Sequence, residues 1–197
     1  TEGGFHVNRD GKRFSNENSG YSEQALHVHR QAGQVAWAIW DERGERIASQ
    51  QHSHQQANES GSVKRYDSIG AMARAIGCDE QVLVQTFEDV SASAAGRKPD
   101  GFGRDFTRKP TLQPPYRMAK IVGALTHTQG GLEIDTSCRV LRTDGTPFPN
   151  LFAGGGAARG LSGPADWGYL SGSGLLMATT TGRLAGEAAA ALVRRNG

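Results

Sequence analysis

Cysteine is nearly absent. The 197 residues contain only Cys78 and Cys138. Neither lies at a metal-ligand spacing, and two cysteines make no disulfide framework. Their scarcity gives the expectation of a reducing, cytoplasmic setting. Proline is also sparse, with 7 residues, which excludes a proline-rich disordered chain. No run of about 18 apolar residues occurs, so no stretch reads as a membrane span. No basic block exceeds two residues and the net charge is +2, so nucleic acid is not an expected partner. A secretory signal pattern is not visible at the start. An initiator methionine is missing too, and Thr1-Glu2-Gly3-Gly4 runs straight into a strand-like segment. The chain therefore reads as a piece excised from a longer one. Finally, no G-x-G-x-x-G fingerprint is found anywhere.

Glycine is what the chain has in excess. Its 27 residues are about twice the usual share. They follow no G-X-Y period, which excludes collagen. More than half lie at or after Gly123. The length suits one large domain or two small ones.

Local patterns divide the chain. Residues 5–14 read as a hairpin turning at Arg9-Asp10-Gly11-Lys12. Ser22 to Arg30 reads as a helix with Ser22 as N-cap. Residues 34–40, rich in β-branched and aromatic side chains, read as a buried strand, followed by a polar turn from Asp41 to Glu45. The almost wholly polar stretch 49–63 reads as an exposed loop or lid. Asp67 to Ile76 reads as a helix closed by Gly77. A second helix begins at Asp79, with Val82, Leu83, Thr86, Phe87 and Val90 on one apolar face. The loop from Gly96 to Pro115 is the candidate domain boundary. Beyond it, 117–125, 131–135 and 139–141 read as strands, with a hairpin at Asp144-Gly145. Residues 150–153 read as a strand running into Gly154-Gly155-Gly156, and Gly172 to Arg195 as a long helix of small residues. The pairs His27/His29 and His52/His54 suggest no metal site: the first points to different helix sides, and the second lacks a carboxylate cluster in sequence.

Three pieces in the second part fit a flat cofactor: Thr126-His127-Thr128-Gln129-Gly130-Gly131, then Leu151-Phe152-Ala153-Gly154-Gly155-Gly156, then Gly172-Ser173-Gly174-Leu175-Leu176 opening a helix that continues to Gly182-Arg183-Leu184-Ala185-Gly186-Glu187. Glycine pairs let a backbone lie against a ring without a Cβ in the way. A helix opening on small residues presents free N–H groups to a developing anion, such as the N1–C2=O edge of a reduced flavin.

The string GALTHTQGGLEIDTSCRVLRTDGTPFPNLFAGGG followed by GRLAGE resembles the C-terminal segment of the fumarate reductase and succinate dehydrogenase flavoprotein family. Residues 7–17, VNRDGKRFSNE, are similar to a segment of that family's capping domain. The resemblance implies an α+β fold: a capping portion over 1–112, then over 113–197 the β-meander and C-terminal helix of a FAD-binding α/β domain. The N-terminal dinucleotide-binding unit is lacking. The missing half of the longer chain would hold the FAD diphosphate and adenosine, and these residues alone would be inactive and bind FAD weakly.

The resemblance also implies site residues. His127, Gly130, Gly131, Gly155, Gly156, Gly174 and Leu175 fall at cofactor positions, with Gly156 where the family carries a glutamate. Thr126 and Gly172 fall at substrate-side positions, and Arg159 is a candidate carboxylate partner. Fumarate reductases carry arginines where this chain has Tyr169 and Tyr21. Tyrosine cannot clamp a carboxylate bidentately. Two tyrosines are instead reminiscent of the related 3-ketosteroid dehydrogenases, in which tyrosines polarise a carbonyl and take an α-proton. Tyr169 and Tyr21 are therefore the candidate catalytic residues, against a packing role beside Trp167 for the first. Tricarballylate dehydrogenases are a further relative, acting on polycarboxylates. The expected function is FAD-dependent dehydrogenation or reduction of a carbon–carbon bond next to a carbonyl or carboxylate of a small molecule. The alternative is a non-catalytic remnant of the fold that no longer binds FAD.

Overall fold

Among the described residues, four strands and five helices build the first part of the chain around a sheet. The computed structural model describes all residues except Thr1, Arg108, Leu125, Thr126, His127, Pro164 and Gly197, and only the backbone of Trp167 and Asn196. Two compact units emerge, Thr1–Ala124 and Leu125–Gly197.

In the first unit, β1 (Phe5–Val7), β2 (Val35–Asp41), β3 (Val63–Tyr66) and β4 (Tyr116–Val122) form an antiparallel sheet in the order β1-β2-β4-β3. Ile39 stands between Phe5 and Met118 in register. Phe5, Val7, Val35, Trp37, Ile39, Tyr116 and Met118 bury one face of this sheet. Period-two alternation sends Ala36, Ala38 and Trp40 to the other face. The buried face is covered by α4 (Ile69–Ile76) and α5 (Glu80–Ala94), through Met72, Ile76, Leu83, Phe87 and Val90. Gly77 ends α4 at φ 83° and Asp79 caps α5, as their sequence positions suggest, while α4 starts after Ser68, its cap, and not at Asp67.

Several expectations are corrected here. Residues 5–14 do not form a hairpin. β1 pairs with β2, because only β2 brings an apolar face to Phe5 and Val7. The turn survives, with Asn8 N–H donating to the Lys12 carbonyl at 2.9 Å. The first helix, α1, is Tyr21–His29 and starts after Gly20, so Ser22 is not its cap. The polar turn at 41–45 is instead the start of α2 (Glu42–Ala48), with the Asp41 carboxylate accepting from the Arg43 and Gly44 N–H groups. Within the polar stretch 49–63 lies α3 (His52–Glu59).

That helix is held by one carboxylate. Glu45 accepts hydrogen bonds from Trp40 Nε1 and Asn58 Nδ2 at 2.8 Å, His54 Nε2 at 3.0 Å and Ser49 Oγ at 3.2 Å. Burial pushes the Glu45 carboxyl up, but these donors outweigh it and hold its pKa at about 2.

The loop 96–115 is folded into the first unit instead of separating two. Arg104 is 4% exposed and donates to the Gly4 carbonyl at 2.7 Å and to Glu17 Oε2 at 2.8 Å. Arg13 pairs with both Glu17 and Asp100. Phe106 and Leu112 from the same loop join the core. β4 then lies between β2 and β3, so the first unit runs through Ala124, beyond the expected division at 112/113.

Candidate functional site

The second unit is built around few apolar groups. β5 (Arg139–Leu141) pairs with β6 (Pro147–Phe152), turning at Asp144-Gly145, where the Arg142 N–H donates to the Thr146 carbonyl at 2.8 Å. Val140, Ala153, Ala158 and Met177 form its core, with Ile134 and Phe148 packed alongside. Residues 131–135 form no continuous strand. They contribute single bridges, Leu132 to Ala158 and Ile134 to Val140.

After β6 the chain makes one 3-10 turn, Gly155–Ala157, and then runs back beside residues 129–132. The Gly155 N–H donates to Thr181 Oγ1 at 2.8 Å, which ties the glycine run to the last helix, α6 (Ser173–Asn196). Three backbone hydrogen bonds clamp the returning segment: Leu132 N–H to Ala157 O at 2.9 Å, Arg159 N–H to Leu132 O at 3.0 Å, and Gly160 N–H to Gln129 O at 2.9 Å. At Gly131 a Cβ would lie 2.4 Å from the carbonyl carbon of Ala158. A similar approach joins Gly163 to Gly168, whose carbonyl accepts from the Gly163 N–H at 2.7 Å.

These features border an open cavity of about 270 Å³ within the second unit. Gly155, Gly156, Tyr169, Gly172, Gly174 and Leu175 line it, and they stem from two separate stretches of sequence. Thr128, Gln129, Gly160 and Ser173 line it as well. At Gly156 a Cβ would meet nothing within 4 Å, so only the backbone faces the cavity there. Tyr169 follows a short 3-10 turn, Asp166–Gly168, and is half-buried.

α6 supplies the strongest electrostatic feature. It runs 24 residues and begins at the cavity. The Ser173 N–H donates to Leu170 O at 3.2 Å and the Leu176 N–H to Gly172 O at 3.1 Å. Among the described residues the Gly174 and Leu175 N–H groups have no acceptor. A helix start leaves such donors free, with a partial positive charge. Ser173 is 2% exposed, and its hydroxyl has no partner among the described residues.

The other expected site residues stand elsewhere. Gly130 and Gly131 are not among the cavity residues, and Gly131 is required by its approach to Ala158. Arg159 forms an exposed ion pair with Glu133 at 2.9 Å. Tyr21 belongs to the first unit, where it opens α1 and is 60% exposed. Thr126 and His127 lie outside the described residues. Thr128, Gln129, Gly160 and Ser173 are among the cavity residues that the sequence motifs left unassigned. A small polar residue in the first turn of a glycine-rich helix was the available signal for Ser173.

With this geometry in hand, known proteins can be compared. The family described as FAD binding domain matches residues 1–175. A probable fumarate reductase of Shewanella frigidimarina is 29% identical over 188 residues, covering 95% of this chain and 31% of that protein. Among solved structures, a flavocytochrome c3 fumarate reductase in its open conformation aligns with a TM-score of 0.71 at 27% identity, covering 97% of this chain and 33% of that one. A 3-ketosteroid Δ1-dehydrogenase from Sterolibacterium denitrificans, in complex with 1,4-androstadiene-3,17-dione, aligns with a TM-score of 0.66 at 25% identity, covering 95% and 39%. The chain thus spans about a third of the length of these relatives. Among the described residues no helix is long and apolar enough to cross a membrane.

Proposed function

We propose that this chain, which belongs to the FAD binding domain family, is part of a flavin-dependent oxidoreductase acting on a carbon–carbon bond next to a carbonyl or carboxylate. The observation that carries the reading is the cavity where the start of α6, the Gly155–Ala157 turn and Tyr169 converge. The residues fit a flavin. Free N–H groups at Gly174 and Leu175 suit an acceptor-rich ring edge, and Gly155 and Gly156 leave the floor without side chains. When bound, FAD supplies the two-electron redox chemistry.

The chain's own residues would do the rest. Gly174 and Leu175 orient the ring edge through their backbones. Tyr169 hydrogen-bonds the substrate carbonyl, or holds the proton exchanged at the carbon beside it. In this reading the first unit is the capping portion, and Tyr21 belongs to it. The second unit is the returning part of the FAD domain. A preceding dinucleotide-binding half of a longer chain holds the rest of FAD.

Tyr169 favours a ketone over a dicarboxylate. A phenol donates one hydrogen bond to a carbonyl oxygen, whereas a carboxylate clamp needs the two-pronged donor of arginine. The second reading, a remnant that has lost FAD, is favoured by Gly156, whose missing side chain removes one ligand contact. The longer polypeptide, purified and scanned between 350 and 500 nm (roughly the flavin absorption range), separates the two. A flavin spectrum bleached by a 3-ketosteroid but not by succinate is the expected result. A colourless protein that FAD does not colour would sink the enzyme reading.

A further inference from the structure

We propose that the first unit carries a binding site of its own, an open cavity that takes a small neutral aromatic alcohol and reads its hydroxyl with His54 Nδ1. No part of it depends on the FAD reading. Glu45 fixes the histidine: its carboxylate accepts from His54 Nε2 at 3.0 Å, and from Trp40 Nε1 and Asn58 Nδ2 at 2.8 Å. These donors keep the carboxyl ionised down to a pKa of about 2, and an ionised carboxylate only accepts. Nε2 therefore carries the ring proton, and in the neutral ring Nδ1 is a bare acceptor. No hydrogen bond among the described residues reaches Nδ1, and it is not one of the buried unpartnered atoms, so it is open to solvent. With the ring already held by Glu45, a donor that meets Nδ1 gains a hydrogen bond at little ordering cost.

The surroundings of His54 set the class of ligand. It lines a cavity of about 360 Å³ within the first unit. Trp40 lines it too, with ring centroids 5.8 Å apart in an edge contact to His54. Ile47, an apolar side chain left 46% exposed, and Ala48 add to the lining. Such a lining suits a flat apolar body, and an aromatic ring gains further from meeting the indole. Charge narrows the class. Among the described residues no lysine or arginine lines the cavity, and its carboxylates, Glu2 and Glu17, are both in ion pairs. Burial lowers the pKa of His6, also in the lining, which favours its neutral ring. With no cation to hold an anion, the ligand is neutral. A phenol joins the flat ring to the O–H donor that Nδ1 accepts.

Phenol is the probe, and anisole, the same ring with the hydroxyl proton replaced by a methyl group, is the control. Both are titrated into the 197-residue chain at about pH 8, where a histidine of ordinary pKa is neutral. NMR of the His54 imidazole nitrogens and the Trp40 indole N–H follows binding. Phenol should give saturable shifts at about millimolar concentration, larger at Nδ1 than at Nε2. Anisole should bind about tenfold more weakly, the loss of one hydrogen bond. His54→Phe should bring the two ligands within about twofold of each other. Ala48→Phe occupies the cavity without touching the Glu45–His54 pair, so it should abolish the phenol shifts and leave the Nε2 signal unchanged; this holds the test open even where H54F does not fold. Equal binding of phenol and anisole by the unsubstituted chain, or undiminished phenol binding by A48F, would overturn the proposal. So would about 50 mM phenol that moves neither the His54 nor the Trp40 signals, since His54 would then serve only to hold α3.

Discussion

Gly130 and Gly131 are adjacent, yet substituting them should have opposite consequences. In Gly131→Ala the new Cβ would sit 2.4 Å from the Ala158 carbonyl carbon, 2.5 Å from its oxygen and 2.7 Å from the Arg159 nitrogen. All three are backbone atoms, so no side-chain rotation relieves the overlap. Ordinary contact needs about 1 Å more, so residues 129–132 must withdraw from the returning segment. Withdrawal breaks the clamp made by Leu132 to Ala157, Arg159 to Leu132 and Gly160 to Gln129. At about 1 kcal/mol net per hydrogen bond, the loss is about 3 kcal/mol. In Gly130→Ala the Cβ meets nothing within 4 Å, so stability should change by less than about 0.5 kcal/mol. Amide hydrogen exchange reads this locally. In G131A the N–H groups of Leu132, Arg159 and Gly160 should exchange far faster than in the unsubstituted chain, and in G130A they should stay protected. Retained protection of those amides in G131A, or equal loss in both variants, would refute the close-approach argument. If G130A stays stable but binds FAD less tightly, Gly130 has the cofactor role expected from the motif.

The Glu45 carboxylate gives a pH prediction. Its folded pKa of about 2 lies below the ordinary 4.5, so its stabilisation is complete above pH 4.5 and disappears as the pH falls towards 2. With the side chain 10% exposed, that difference amounts to at most about 3 kcal/mol. Urea unfolding from pH 7 downwards should show this loss, and Glu45→Gln should flatten the slope over that window; an unchanged slope would count against the clasp on α3. Glu17→Ala should cost about 3–5 kcal/mol, because it leaves the buried guanidinium groups of Arg13 and Arg104 without their shared partner. A loss below about 1 kcal/mol in denaturant titrations would show that Asp100 alone can balance both charges. The 197-residue chain by itself should hold FAD only weakly, and sub-micromolar binding by calorimetry would contradict the assignment of the diphosphate site to another part of a longer chain.

Some of the fold was legible because its causes are local. The apolar spacing of Val82, Leu83, Thr86, Phe87 and Val90 gives α5 and its buried face without reference to any neighbour. Gly77 and Asp79 mark helix ends through their own backbone freedom or hydrogen bonds. β2 is legible from its β-branched and aromatic run. By contrast, the hairpin expected at 5–14 failed because a turn signal says nothing about which strand supplies the better apolar face. The polar stretch 49–63 concealed α3, since that helix is held by Glu45, a residue outside it. Composition also misjudged 96–115: its glycines, prolines and charges look like a linker until Arg104 is seen bound to Glu17, which lies far back in the sequence.

The candidate site divides in the same way. Sequence by itself determined that glycine-rich pieces occur in a fixed order, that the last of them opens a long helix, and that tyrosines stand at Tyr169 and Tyr21. These are properties of residue type and order. Only the tertiary structure decided that Gly155, Gly156, Tyr169, Gly172, Gly174 and Leu175 line one cavity while Gly131 is needed by a neighbouring backbone. Only it revealed that the Ser173 hydroxyl is buried with no partner among the described residues. Whether a glycine serves a ligand or a crossing chain, and whether a serine is satisfied, depends on distances between segments far apart in sequence, and no local pattern encodes those distances.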